Sequence, residues 1–276
     1  MTGSSWDPES YERFAAQRLR PALDLIARIP TGEAGTVVDL GCGPGRVTGE
    51  LAARWPGAAV TGVDSSPQML DRARARHTGI EWVEGRIEDW EPEEPVDVVF
   101  SNAALHFLSD HQSLFPRLFA AVGDGGTLAV QMPLSWHQPT HQLIRATLHD
   151  LGIGSPGLRS RLEMPPVGEP VWYWRILSAA GGEVDVWTTT YLHVLDGEDA
   201  LPAWMAGAGL RPVLEDLGEA ERDRFLDEYT ARLTAAYPPL SDGTTLLPYP
   251  RLFLIAVRQA SARNITPSGG RSSSIE

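Results

Sequence analysis

The sequence predicts an α/β fold in which helices cover a mostly parallel β-sheet. Through the first half of the 276-residue chain, short runs rich in β-branched residues alternate with segments of helical length, and parallel strands need crossovers of that kind. One run, 36–40, stops in three closely spaced glycines before a helical segment begins. Because ligands of open α/β sheets bind beyond the carboxyl ends of the strands, the residues that follow each run are the candidates for a site.

Composition limits the classes of protein to consider. The chain is 42% hydrophobic, but it has no apolar run near the ~18 residues of a membrane span, and residues 1–8 lack the apolar core of a signal peptide. A single cysteine favours a reducing compartment, so we expect a cytoplasmic protein. The net charge of −13 argues against a nucleic-acid surface, which needs a basic patch. All 23 basic residues are arginine, so a bound anion must be held by Arg or His.

Residues 1–30 predict a helical lid at the start of the chain. An Asp-Pro pair begins a helix, a break is expected at Pro21, and a second helix follows over 22–28. Tyr11 and Arg18 recur on one face of the first helix. That face either covers a bound ligand or packs as a plain helix edge.

The glycine turn after the first strand distinguishes between two kinds of cofactor. A dinucleotide fingerprint has the spacing GxGxxG, whereas this chain has GxGxG, formed by Gly41, Gly43 and Gly45. Asp39 stands two places before Gly41, where a carboxylate would repel a pyrophosphate but accepts hydrogen bonds from a cationic amino-acid group. With Cys42 it completes DLGCGPG, which resembles the first motif of the S-adenosylmethionine (SAM) methyltransferases. We therefore expect this turn to bind SAM.

The second strand supplies a second carboxylate to the same site. After a helix over 47–54, this strand is predicted over 59–63 and ends at Asp64. A carboxylate roughly 20 residues beyond the glycine turn can accept hydrogen bonds from both hydroxyls of an adenosine ribose. The alternative is a structural aspartate that caps the next helix. Ser65 follows in the same turn, and Met69 is expected beside the adenine.

Further candidates for the cofactor follow the third and fourth strands. Ile87, after the third strand, is expected to supply backbone groups and an apolar wall to the adenine. After the fourth strand, carbonyls around Asn102 and Ala103 are placed to receive the methionine ammonium, and Phe107 is placed to flank the sulfonium by cation–π attraction. The third, fourth and fifth strands are predicted over 80–84, 96–101 and 126–132, with a helix over 112–122 before the last of them.

The second half of the chain carries two insertions beside the remaining strands. In this prediction 31–132 form the cofactor-binding core and 133–258 complete it. The predicted parts are an insertion over 133–170 with a helix over 140–151, a helix over 171–180, a strand over 183–195, a mostly helical insertion over 196–248, a last strand over 251–257 and a disordered tail over 259–276. Because the insertions exceed what the core needs, we expect them to form a cap that selects the substrate.

Strand periodicity places several polar residues at one edge of the sheet. Tyr191 and His193 share a face at the end of the sixth strand. If the last strand is antiparallel, Arg251 at its beginning lies at the same edge. Further candidates for the same cavity are Gln131, His141 and Trp204. Each residue has a plain alternative as a surface, satisfied or strand-edge residue, but their convergence favours a cavity for an anion.

A resemblance over most of the chain is narrower than the glycine motif alone. In order across residues 4–258, the chain resembles the trans-aconitate 2-methyltransferase family in segments that include SWDPESYERFAAQRLRPALDLIARIP, VVDLGCGPGRVT, SNAALHFLSDH, VDVWTTTYLH, AGLRPVL and PRLFLIAV. The resemblance implies a Rossmann-like class I methyltransferase with a seven-stranded sheet whose last strand is antiparallel. It also implies methyl transfer from SAM to one carboxylate of trans-aconitate, giving a monomethyl ester and S-adenosylhomocysteine. Arg86 departs from the acidic residue expected in the adenine loop, where Glu88 is a substitute acceptor.

The chemistry implied by the resemblance needs orientation rather than a catalytic base. A carboxylate with a pKa near ~4 is already ionised at neutral pH, so we expect no general base and no metal. Arg251 is the first choice for the residue that binds the tricarboxylate, Arg18 is the second, and we expect a monomer. Two alternatives stay open: a class I methyltransferase for another small carboxylic acid, and a SAM-binding regulator without catalysis.

Overall fold

Seven strands form one sheet in the computed structural model, which describes residues 15–163, 166–197 and 200–260. The strands are β1 (Thr36–Leu40), β2 (Ala59–Asp64), β3 (Glu81–Glu84), β4 (Val96–Asn102), β5 (Val122–Pro133), β6 (Gly182–Asp196) and β7 (Thr244–Arg258). Their order across the sheet is β3-β2-β1-β4-β5-β7-β6. β1 to β5 pair in parallel, and β7 runs antiparallel between β5 and β6. The predicted α/β class with an antiparallel last strand is confirmed.

Helices flank the sheet and fill both insertions. They are α1 (Ala15–Arg28), α2 (Arg46–Arg54), α3 (Pro67–Arg76), α4 (His111–Ala120), α5 (Pro139–Leu151), α6 (Pro156–Arg161), α7 (Pro170–Ala179), α8 (Ala200–Ala208), α9 (Arg211–Asp216) and α10 (Glu219–Ala236), with a 3-10 turn at Leu105–Phe107. None of the helices in the described ranges combines the length and the apolarity needed to cross a membrane.

The N-terminal helix corrects one prediction. A break was expected at Pro21, but α1 continues through this proline as a single helix. A proline inside a helix removes one backbone hydrogen bond, and tertiary packing offsets that loss, because Ala22, Leu25 and Ile26 are buried against the sheet. The part of the predicted lid over residues 1–14 lies outside the described residues.

Two elements of the second half also differ from the prediction. Within the insertion over 133–170, where the one predicted helix covers 140–151, the structure adds α6, which starts at a Ser155 cap whose side chain accepts the Leu158 N–H. β7 begins at Thr244 rather than at Arg251, because its first residues pair only with β6. Prolines are tolerated where a strand lacks a second neighbour, so the prolines of this segment do not end it. The predicted tail lies outside the described residues after position 260.

Three apolar clusters form the core. Alternate residues of β5 and β7 face opposite sides of the sheet, so one cluster packs under α4 and α7 and another under α1 and α2. The third cluster joins both insertions to the projecting ends of β6 and β7, through Leu148, Trp204, Phe225, Leu195 and Leu247. The insertions therefore pack against one another, beyond the sheet, at the end where a ligand is expected.

Candidate active site

The glycine turn between β1 and α2 combines close packing with an open face. Gly41 has φ 74°, and a Cβ there would lie 2.3 Å from the Cβ of Ala104. A Cβ on Gly45 would lie 2.5 Å from the Trp82 ring. Only Gly43 has open space at the Cβ position, and its N–H donates to the Asp64 carboxylate at 2.8 Å. Two of the three glycines thus serve packing, and the middle one leaves the cavity clear.

Asp39, two residues before the turn, has a buried carboxyl group. The Thr48 hydroxyl of α2 donates to it at 2.6 Å. Burial raises the pKa of the Asp39 carboxyl from 3.8 to about 7, against the effect of that hydrogen bond, and the Asp64 charge adds to the rise. The fold therefore places beside the cavity a carboxyl group whose pKa is close to neutral pH.

Replacing Asp39 by Asn is expected to stabilise the ligand-free protein above about pH 7. Because the folded-state pKa lies above the unfolded value, the carboxyl contributes its full stability below about pH 4 and loses it as the pH rises to about 7. A shift of this size corresponds to at most about 4 kcal/mol. Melting temperatures near pH 5 and pH 8 check the prediction, with exposed Asp185→Asn as the control. Equal melting of wild type and Asp39→Asn near pH 8 would contradict it.

Asp64, at the end of β2, is held by two backbone donors. Its carboxylate accepts the Gly43 N–H at 2.8 Å with one oxygen and the Ser66 N–H at 2.9 Å with the other. The side chain is half-buried, and it lines the cavity with Ser65 and Met69. The carboxylate is therefore oriented before any ligand binds.

The loop after β3 contains an ion pair that the sequence did not predict. Arg86 donates to Glu88 at 2.7 Å, and both residues line the cavity beside Ile87. The Ile87 carbonyl accepts a hydrogen bond from the Arg117 guanidinium at 2.8 Å, and the Ile87 side chain is buried. Glu88, expected as a substitute acceptor for the adenine, is thus engaged by Arg86, and the pKa of Glu88 is lowered by its own backbone N–H and by Arg86.

The end of β4 brings an unsatisfied acceptor to the cavity. Asn102 lines it, and the enclosed Oδ1 of this side chain has no hydrogen-bond partner among the described residues. Ala103 has φ 53°, a left-handed conformation that is strained for a residue other than glycine. Its N–H donates to the Gln131 carbonyl at 2.9 Å. Phe107 follows in the 3-10 turn after β4; this residue is 74% exposed and also lines the cavity.

A single cavity of about 1010 Å³ joins this region to the second half of the chain. β7, which β4 and β5 separate from β1 and its glycine turn, contributes Tyr249 and Arg251 to the lining, and the second insertion contributes Trp204 and Arg211. Arg251 is only 5% exposed, and its guanidinium carbon lies 4.5 Å from the centre of the Tyr249 ring. The register that pairs Arg251 with Pro133 places this cation at the carboxyl end of β5.

Four of the predicted substrate residues are not among the residues that line the cavity. The Tyr191 hydroxyl donates to Asp24 of α1 at 2.6 Å. His193 packs behind Trp204, with ring centres 4.5 Å apart. His141 lies within hydrogen-bond distance of two hydroxyls, and both amide atoms of Gln131 are enclosed without a partner in the described structure. Tyr11 lies outside the described residues, as does the Arg18 side chain.

Several lining residues were not predicted, and His106, Tyr249 and Arg211 are among them. Tyr249 precedes Arg251 by two positions, so strand alternation could have placed both on one face. His106 follows β4 in the same loop as Phe107, so its position after the end of a parallel strand could have indicated that it lines the cavity. Arg211 begins a short helix of the second insertion, and no periodicity marks it.

The charge of the cavity is opposite to that of the whole chain. Six arginines line it against three carboxylates: Arg46, Arg72, Arg76, Arg86, Arg211 and Arg251 face Asp39, Asp64 and Glu88. The chain carries a net charge of −13. Since low-dielectric walls concentrate the field of the charges that line them, the cavity favours an anionic ligand that the rest of the surface repels.

Comparisons with known proteins agree with this geometry. The family described as "Methyltransferase domain" matches residues 37–126. The trans-aconitate 2-methyltransferase of Azoarcus sp. (strain BH72) is 44% identical over 92% of this chain and 99% of its own length. That of Escherichia coli O7:K1 (strain IAI39 / ExPEC) is 44% identical over the same shares.

The fold of this chain is also similar to that of a solved methyltransferase structure. Haemonchus contortus phosphoethanolamine N-methyltransferase 2, solved with S-adenosyl-L-methionine, aligns with a TM-score of 0.52 at 17% identity, over 87% of this chain and 52% of that one. At such low identity the likeness supports the fold alone. Assignment to a particular family rests on the curated relatives, because they match nearly the whole chain. The chain is a SAM-dependent methyltransferase and belongs to the trans-aconitate 2-methyltransferase family.

Proposed function

We propose that the protein transfers the methyl group of SAM to a carboxylate of trans-aconitate, giving the monomethyl ester and S-adenosylhomocysteine. The observation that carries this proposal is the single cavity that joins the glycine turn and Asp64 to the buried Arg251. Its volume of about 1010 Å³ lies at the upper end of small-molecule sites, ~300–1,000 Å³. Cofactor and acid can therefore occupy the same cavity.

The cofactor end fits SAM on its polar groups. The enclosed Oδ1 of Asn102 lacks a donor, which an amino-acid ammonium would supply. The oriented Asp64 carboxylate is an acceptor for two ribose hydroxyls, and Gly43 leaves the turn open. We assign to the cofactor Asp39, Gly41, Cys42, Gly43, Gly45, Asp64, Ser65, Met69, Ile87, Asn102, Ala103 and Phe107.

The acid end orients the nucleophile. When bound, SAM would supply an electrophilic methyl sulfonium, and a carboxylate oxygen of the acid would be the nucleophile that takes the methyl group, leaving S-adenosylhomocysteine. Arg251 is assigned to bind and orient the acid, because its charge lies in a largely enclosed site. Tyr249 and Trp204 exclude water from that end. No base is needed, since the carboxylate is already ionised.

The two insertions are assigned to substrate selection. Trp204 and Arg211 of the second insertion line the cavity, and α5 of the first insertion packs against α10 of the second. We assign 31–132 to the cofactor core and the insertions over 133–170 and 196–248 to a cap, with 1–30 as a lid. We further propose a cytoplasmic location, which the single cysteine supports. We also propose a monomer, and light scattering on the purified protein tests this oligomeric state.

A panel of small acids assayed with methyl-labelled SAM tests the proposed function. We expect trans-aconitate to be methylated well above monocarboxylates, and citrate to compete with it, because the arginine-lined end favours several negative charges. Raising the salt concentration should lower kcat/KM, since screening weakens attraction into the cavity. Robust methyl transfer to a monocarboxylate, with none to trans-aconitate, would show that the substrate is a different acid. SAM binding without methyl transfer to any acid would favour a SAM-binding regulator without catalysis.

A further inference from the structure

His106 is a cavity residue to which the proposed function gives no role. It lies in the 3-10 turn after β4, its ring is half-buried, and it lines the same cavity as Arg251. The Nδ1 atom of the ring is enclosed and has no hydrogen-bond partner among the described residues. The protein thus presents to its cavity an imidazole whose Nδ1 is hydrogen-bonded to none of the described side chains.

Burial keeps the imidazole of His106 neutral, and neighbouring groups add to the effect. Burial is the largest cause, and Arg251 on β7, His111 on α4 and His141 on α5 act in the same direction, so the pKa of His106 falls from 6.5 to about 3. A neutral imidazole carries one N–H donor and one lone pair. At neutral pH His106 is therefore a hydrogen-bonding group without charge.

The surroundings of the ring indicate which nitrogen carries the proton. Nδ1 is enclosed without a partner, and an enclosed N–H without an acceptor is rarer and more costly than an enclosed lone pair. The proton is therefore favoured on Nε2. Because Nδ1 is shut off while the ring lines the cavity, the edge that carries Nε2 is the accessible one. His106 is a donor directed at the cavity.

A chain of hydrogen bonds fixes the turn that carries His106. The Gly168 N–H donates to the Tyr173 hydroxyl at 3.1 Å, and that hydroxyl lies 2.7 Å from the His111 Nδ1. The His111 Nε2 lies 2.9 Å from the Leu105 carbonyl, which can only accept, so His111 donates to it. Tyr173 then donates to Nδ1. The residue before His106 is thus anchored from two helices, and the imidazole is positioned in advance.

We propose that His106 donates a hydrogen bond from Nε2 to a carboxylate of the acid substrate, and that it shares recognition of the polyacid with Arg251. Arg251 supplies charge, and His106 supplies a neutral donor that adds no second buried cation beside it. An acid that lacks the carboxylate facing His106 would leave this donor unpaired, which is how a polar site rejects a smaller analogue. This inference rests on the proposed function.

Substitution of His106 by Leu and by Gln tests the proposal. Leu removes the donor at similar size, and we expect the KM for trans-aconitate to rise roughly ten- to a hundredfold, as for a lost bond to a charged group. SAM affinity, measured by calorimetry, should change less than about twofold. Gln places a neutral amide donor near the position of Nε2, so it should recover most of the loss. His149→Leu, at an exposed position of α5, is the matched control and should behave as wild type.

The pattern of both variants decides the outcome. An unchanged KM in His106→Leu, or a Gln variant as impaired as Leu, would overturn the role of His106. If wild type methylates no acid, the proposed function fails, and titration of trans-aconitate into the S-adenosylhomocysteine-loaded protein still tests His106. Tighter binding by wild type than by His106→Leu would then support the proposal, and equal or absent binding would refute it.

Discussion

Asp64→Ala is expected to weaken SAM binding at least a hundredfold. The Asp64 carboxylate is oriented by the Gly43 and Ser66 N–H groups and borders the cavity, where it is the assigned partner of two ribose hydroxyls. Each hydrogen bond to a charged group contributes about 1.5 to 3 kcal/mol, and a factor of ten corresponds to about 1.4 kcal/mol. Two lost bonds therefore account for the expected change, which calorimetric titration of SAM measures.

Controls separate loss of the ribose contact from loss of the turn. Asp64→Ala also removes the acceptor of the Gly43 N–H, so the glycine turn itself can relax. Asp64→Asn keeps an oxygen for one of the two backbone donors, and we expect intermediate affinity. Asp185→Ala, at an exposed position of β6, should bind as wild type. Wild-type affinity in Asp64→Ala, with an unchanged melting temperature, would exclude the assigned role.

The convergence of the residues proposed for the cofactor could be predicted from sequence, because its signals are local. Asp39, Gly43 and Asp64 each lie at or just after a strand end, and parallel strands bring those ends to one edge. What the sequence could not show is why Gly41 and Gly45 are glycines. The contacts that would exclude a Cβ come from Ala104 and Trp82, which follow much later in the chain. Such packing depends on how distant segments meet.

The acid end was only partly predictable, because it depends on distant partners. Alternation placed Arg251 correctly at the cavity edge, and the same rule put Tyr191 on the matching face. Yet the Tyr191 hydroxyl donates a hydrogen bond to Asp24 of α1. The periodicity of β6 cannot reveal this partner. His193 is likewise covered by Trp204 of the second insertion. Strand periodicity predicts which face a side chain lies on, and α1 and the second insertion decide which side chains on that face reach the cavity.

Arg251→Ala is expected to lower kcat/KM for trans-aconitate about thirtyfold to several thousandfold. Arg251 is buried, and it lines the cavity from β7, which β4 and β5 separate from β1 and its glycine turn. Truncating one partner of a buried charge pair costs about 2 to 5 kcal/mol, and each factor of ten corresponds to about 1.4 kcal/mol. The loss should fall mainly on KM, because the acid loses its principal cation in the ground state as well. Steady-state kinetics measure it.

Arg251→Lys distinguishes bidentate binding of the acid from simple charge. Lysine keeps the cation but not the planar fork, and its stacking on Tyr249 is weaker, so it should recover only part of the activity. SAM affinity should stay near the wild-type value in both variants, since Asp39 and Asp64 belong to β1 and β2, which β4 and β5 separate from β7. Exposed Arg175→Ala on α7 is the control for removal of an arginine. Full activity in Arg251→Lys would show that charge alone suffices there, and full activity in Arg251→Ala would move the acid site elsewhere in the cavity.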